Sequence, residues 1–111
     1  MAELPFEAFN RWLLEDWGFA HQDRIFAAPY LSLMDPERAV RELEWVLSND
    51  ARFIVMRPSF VYGKGGSRSP ADPCFDPFWQ IVNDEGLTVV YHGGDAGYGA
   101  YMEDWGEGGT I

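Results

Sequence analysis

Three short runs of apolar residues, each separated from the next by a stretch with helical periodicity, constrain this chain more than any other feature. The runs are Arg24–Leu33, Arg52–Arg57 and Leu87–Tyr91. Each is apolar at consecutive positions rather than alternate ones, the pattern of a strand covered on both faces. Strands of this kind pair in parallel, joined by helical crossovers. The expected fold class is therefore α/β, with a three-stranded parallel sheet.

The helical stretches have recognisable ends. Pro5 to about Glu15 places Phe6, Phe9, Leu13 and Trp17 at spacings of three and four, with proline in the first turn, and predicts a helix with one oily face. Asp35-Pro36 is a helix start, since the carboxylate can accept from free backbone N–H groups and proline has no N–H to leave unpaired. That helix should run to about Asn49, with Ala39, Val40, Leu43, Val46 and Leu47 as its packed stripe and Glu37, Arg38, Arg41, Glu42 and Glu44 on its wet side. A third helix carries Phe75, Phe78, Trp79 and Val82 and stops at Gly86; Asp72-Pro73 and Asp76-Pro77 both qualify as its start. Ser59 to Asp72 reads as a loop of 14 residues, long enough to suggest a function. From Gly93 to Ile111 seven of 19 residues are glycine, and neither helix nor strand can be placed there.

With 111 residues, 47% of them hydrophobic and 16% aromatic, the chain can form one packed domain at most. A formal net charge of -10 argues against nucleic acid and anionic membrane surfaces as partners. The single cysteine, Cys74, allows no intramolecular disulfide and fits a reducing, cytoplasmic setting. No run approaches the roughly 18 apolar residues of a membrane span, and the acidic N-terminus is unlike a signal peptide. Three parallel strands leave two open edges, so the unit should either belong to something larger or self-associate.

The segment Leu87 to Asp95 reads as a buried parallel strand that gives way to a Gly-Gly-Asp loop, with His92 at the junction. That end of a parallel strand is where α/β proteins place their sites. A neutral imidazole there can ligate a metal or exchange protons; the plainer alternative is a histidine hydrogen-bonded at a strand end without chemistry. Arg57 closes the second strand and is the topological counterpart of His92, able to fork onto a substrate carboxylate or to pair with one of the chain's 18 acidic residues. Asp95 can orient a ligand or serve as turn chemistry. Lys64 and Arg68 can assist an anionic substrate or simply carry solvated loop charge. His21 reads as a solvated or capping residue, and Cys74, lacking an activating neighbour, as a buried inert thiol. The loop glycines lack the spacing of a phosphate-binding loop, and nucleotide binding is discarded.

Taken in order, several short stretches resemble the metal-dependent amidohydrolases related to aminocarboxymuconate-semialdehyde decarboxylase. They are Asn10-Arg11-Trp12, Asp23-Arg24-Ile25-Phe26 with Pro29, Asp35-Pro36 with Ala39 and Glu42, Arg57-Pro58, Phe75-Asp76-Pro77-Phe78-Trp79, and Val89-Val90-Tyr91-His92-Gly93-Gly94-Asp95. The resemblance covers about Phe6 to Tyr101. It implies that the three strands are the third, fourth and fifth of a (β/α)8 barrel of the TIM type. It implies that His92 is the histidine ligating a catalytic divalent metal, usually zinc, and that the parent reaction is amide or ester hydrolysis or the non-oxidative decarboxylation of a small carboxylated substrate. The family's other metal-binding residues, a His-x-His pair, a later histidine and an aspartate on the last strand, have no counterpart here. A (β/α)8 barrel takes about 250 residues, so the expectation is a single partial domain, the central portion of a barrel, inactive by itself. The competing expectation is a non-catalytic α/β module that self-associates through its open sheet edges.

Overall fold

A computed structural model describes residues 3–63 and 66–92, with side chains described from residue 5 onward. Lys64, Asp95 and the Gly-rich segment 93–111 therefore lie outside the described residues. The elements, in order, are α1 (Glu3–Asp16), α2 (Pro36–Ser48), β1 (Phe53–Met56), β2 (Val61–Gly63), β3 (Gly66–Arg68), a single 3-10 turn (Pro73–Phe75), α3 (Asp76–Asp84) and β4 (Thr88–Tyr91).

Helix α2 forms where its sequence signals place it. The Asp35 carboxylate accepts from the N–H groups of Glu37 and Arg38, both at 3.2 Å, and Pro36 occupies the first turn. Of the two candidate starts of the third helix, Asp72 acts as a cap, holding the 3-10 turn through the Cys74 N–H at 2.9 Å, whereas α3 begins at Asp76 with Phe75 in the cap position and no side-chain cap bond. Helices α2 and α3 end in the same way. The Ala51 N–H reaches back to the Val46 carbonyl at 3.0 Å, and the Leu87 N–H to the Val82 carbonyl at 3.0 Å. In each case the preceding residue is left-handed: Asp50 at φ 69° and Gly86 at φ 62°. This is a Schellman ending, with an apolar pair closing each stop, and it turns the chain directly into β1 and β4.

Strands β1 and β4 pair in parallel, Phe53 against Thr88 through Met56 against Tyr91. Ile54 and Met56 are buried towards the helices, where Leu43, Val46, Phe75, Phe78, Val82 and Leu87 complete the core. Burial of this apolar surface, worth roughly 25 cal/mol per Å², holds α2 and α3 on the sheet.

The described sheet has two parallel strands rather than three, and no barrel is formed among the described residues. The segment read as a first strand, Arg24–Leu33, begins in a turn and makes one parallel bridge to β1, Tyr30 to Val55. The Leu31 N–H donates to the Val55 carbonyl at 3.0 Å and the Val55 N–H to the Pro29 carbonyl at 2.9 Å. Pro29 has no N–H for a longer ladder, and the opposite edge of Tyr30 is taken by a side chain. The Asn10 amide donates to the Tyr30 carbonyl and accepts the Tyr30 N–H, each at 2.8 Å.

That contact also corrects the reading of α1. Its docked face is centred on Asn10, fully buried, with Leu13 and Leu14 against the core, while Phe9 and Trp17 of the expected oily stripe are exposed. Glu42 belongs to the packed face of α2, not its wet side. It is buried, accepts from Asn10 at 3.2 Å, and is gripped by the two terminal guanidinium nitrogens of Arg11 at 2.8 and 3.3 Å. Arg11 lies in turn over the Trp45 ring at 3.4 Å.

Candidate functional site

The site begins at the C-terminal edge of the parallel pair. Because Met56 stands against Tyr91, the next residues, Arg57 and His92, leave neighbouring strands at the same edge, as the strand order predicts. Both are exposed. The strand leading to His92 is not buried, however. Val90 and Tyr91 are 40% and 51% exposed, and Leu87 is the buried residue of that stretch. The apolar run Leu87–Tyr91 describes a strand suited to cover on both faces, and among the described residues β4 pairs on one side only, with β1.

Beside this edge lies a cleft of about 160 Å³. Its floor is Met56 with Leu31 and Leu33, Arg57 and Tyr91 stand at the strand ends, and Phe6, Tyr30, Phe60 and Tyr62 supply aromatic walls. The Phe6 and Tyr30 rings stack at 4.4 Å, and those of Phe60 and Tyr62 meet edge to face at 4.8 Å. The Arg57 guanidinium lies 5.9 Å from the Tyr62 ring centroid, within cation–π range. Arg57 thus lines the cleft, while His92 stands at the edge without being part of its lining.

The stretch read as one long loop contains structure. Strands β2 and β3 form an antiparallel hairpin, with Val61 opposite Arg68, Tyr62 opposite Ser67 and Gly63 opposite Gly66. Gly66, at φ 98°, takes a conformation that few other residues adopt. The β-prone Val61-Tyr62 followed at once by a glycine-rich stretch was the available sequence signal for this hairpin. Before it, the Ser59 N–H donates to the Arg57 carbonyl at 2.9 Å, a three-residue turn whose centre, Pro58, has the φ such turns require. After it, the Trp79 indole N–H donates to the Pro70 carbonyl at 2.7 Å and pins the segment to α3. Ser59, Phe60 and Tyr62 are brought to the cleft by these contacts, and the sequence reading does not single them out.

The remaining candidates lie elsewhere. Arg68 pairs with Asp72 at 3.6 Å on an exposed face. His21 opens a tight turn, closed by the Arg24 N–H on its carbonyl at 3.0 Å, and is exposed. Cys74 is exposed, contrary to its reading as a buried thiol, because the 3-10 turn sends Phe75, not Cys74, into the core. The Cys74 thiol is nevertheless pushed up from its ordinary pKa, chiefly by desolvation and then by the hydrogen bond and charge of Asp72. Asp72 is itself held below the usual carboxylate range, first by the Cys74 backbone N–H, with Arg68 assisting.

Metal binding can be judged from the donor set. Among the described residues no group of three histidine, cysteine or carboxylate side chains could hold an ion. A catalytic zinc generally takes three protein ligands and an open position. The described residues do not by themselves fit such a centre. Among them, too, no helix is long and apolar enough to cross a membrane.

No protein-family model matches the chain, and no curated protein does. A solved structure does. The chain is similar to an amidohydrolase from Mycobacterium avium subsp. paratuberculosis K-10, at 44% identity and a TM-score of 0.84 over 91% of its own length. It spans 26% of that amidohydrolase's length. At this identity the likeness reaches beyond backbone shape to the side chains, and it supports a relation to hydrolases of that kind.

Proposed function

We propose that this chain forms part of the active-site wall of a metal-dependent hydrolase of the amidohydrolase type. The observation that carries the reading is the convergence of Arg57 and His92 at the C-terminal edge of a parallel strand pair, next to an aromatic cleft, in a chain 44% identical to a stretch of an amidohydrolase. In a (β/α)8 barrel that edge is the catalytic face. His92 contributes one ligand to a divalent metal, zinc by preference, and residues beyond those described complete the set. Arg57 binds a carboxylate of the small-molecule substrate, and Asp95 assists from the following loop. The reaction is hydrolysis of an amide or ester, or decarboxylation of a carboxylated substrate. In this reading the 111-residue chain supplies one histidine of a larger ligand set and is inactive by itself.

The test compares the chain alone with the chain carried in its flanking coding sequence, assayed for bound metal and for turnover of ester, amide and aromatic carboxylate substrates. The longer protein should hold metal and turn over one of these classes. A longer protein without either would remove the proposal.

A second reading is favoured by one observation: among the described residues β4 has a strand neighbour on one side only, β1, and Val90 and Tyr91 are exposed. Unpaired strand edges bind other strands, and the chain alone would then self-associate there.

A further inference from the structure

Resting on the reading of the cleft as a substrate site, we infer that Ser59 determines specificity by donating a hydrogen bond to the polar end of a ring-sized ligand. Among the described residues the Ser59 hydroxyl is the buried side-chain polar group with no hydrogen-bond partner. Ser59 is one of the residues that line the cleft, two positions from Arg57, with its hydroxyl buried behind that lining. A buried hydroxyl without a partner is costly, and native proteins keep few of them. The other serine of the cleft, Ser32, has its hydroxyl engaged by the Met34 N–H at 3.2 Å. The turn that joins the Ser59 N–H to the Arg57 carbonyl fixes the backbone beneath the hydroxyl, so Ser59 is held in place while its side chain stays unused.

The size and walls of the cleft specify the rest of the ligand. An apolar cavity of roughly 150 Å³ accepts a benzene molecule, and this cleft measures about 160 Å³. Two aromatic pairs, Phe6 with Tyr30 and Phe60 with Tyr62, offer faces and edges to one flat ring. A single ring bearing a hydrogen-bond acceptor fills the space and satisfies the hydroxyl.

The experiment titrates the 111-residue chain and its Ser59→Ala variant with benzoate and with toluene, following amide shifts by NMR and recording thermal midpoints without ligand. Ser59→Ala should weaken benzoate binding about 10-fold or more, the effect of losing a hydrogen bond to a charged group. It should leave toluene binding unchanged. It should also leave the unliganded midpoint unchanged or raised, because the variant removes a buried group that has no partner. Equal benzoate affinity in the two proteins, or a lowered midpoint with both ligands weakened alike, would overturn the role of Ser59 and leave the cleft reading standing. Failure of both ligands to bind the unsubstituted chain would overturn the cleft reading, and the role of Ser59 with it.

Discussion

A polar side chain at the centre of a packed helix face can be tested more sharply than an apolar one, because its partners stay behind when it is removed. Asn10 completes both hydrogen bonds on the outer side of Tyr30, acting as a one-residue substitute for a neighbouring strand. Replacing it by leucine keeps the volume but strands the Tyr30 N–H and carbonyl and one lone pair of Glu42. The expected cost is about 2–4 kcal/mol, read as a lower urea midpoint with unchanged slope. Asp72 and Cys74 give a second prediction. With its pKa raised, Cys74 should alkylate with iodoacetamide at pH 8 more slowly than a free cysteine, despite its exposure, and Asp72→Asn should accelerate it. The Asp72 cap has the opposite pH sense. A carboxyl depressed in the folded state stabilises above its unfolded pKa and loses that contribution as pH falls through the depressed value. Neither the Asn10 staple nor the exposure of Cys74 was legible in sequence. Periodicity assigns faces by apolarity, so it favoured Phe9 and Trp17 over Asn10 and set Glu42 among solvated charges. The pairing that buries Asn10 and Glu42 depends on residues 20 and 32 positions away.

At the level of elements, the local signals worked where a residue's own chemistry decides the conformation. Asp35-Pro36 starts α2, Asp72 caps the 3-10 turn ahead of α3, and Gly86 stops α3. The matched stops of α2 and α3 allow a paired test. Asp50 takes the left-handed position that Gly86 takes in α3, and a residue with a Cβ is strained there by about 1 kcal/mol. Asp50→Gly should therefore raise the thermal midpoint by a few degrees, whereas Gly86→Ala should lower it. Opposite results would mean that these stops do not set the entry into β1 and β4. The first strand failed as a sequence reading because its apolar run does satisfy the core, through Leu31 and Leu33, yet Pro29 has no N–H to lengthen the ladder with β1 and Asn10 occupies the other edge of Tyr30. Apolar patterning reports burial, and hydrogen-bond pairing is decided separately.

For the whole molecule, the α/β character and the shared edge of Arg57 and His92 were readable from the order of elements. The cleft was not, since its lining joins α1, the Tyr30 segment, both parallel strands and the hairpin. If the chain alone closes its sheet by self-association, light scattering should show a mass that rises with concentration, and Val90→Lys on the exposed strand should return it to a monomer. A monomer at all concentrations would remove that reading. The central claim, that this edge supplies His92 to a divalent metal of a larger hydrolase, is tested most directly by elemental analysis of the protein expressed with its flanking sequence, with and without His92→Ala. The expected result is about one tightly held metal per chain, lost or strongly depleted in the variant; equal metal content in the two proteins, or none in either, would contradict it.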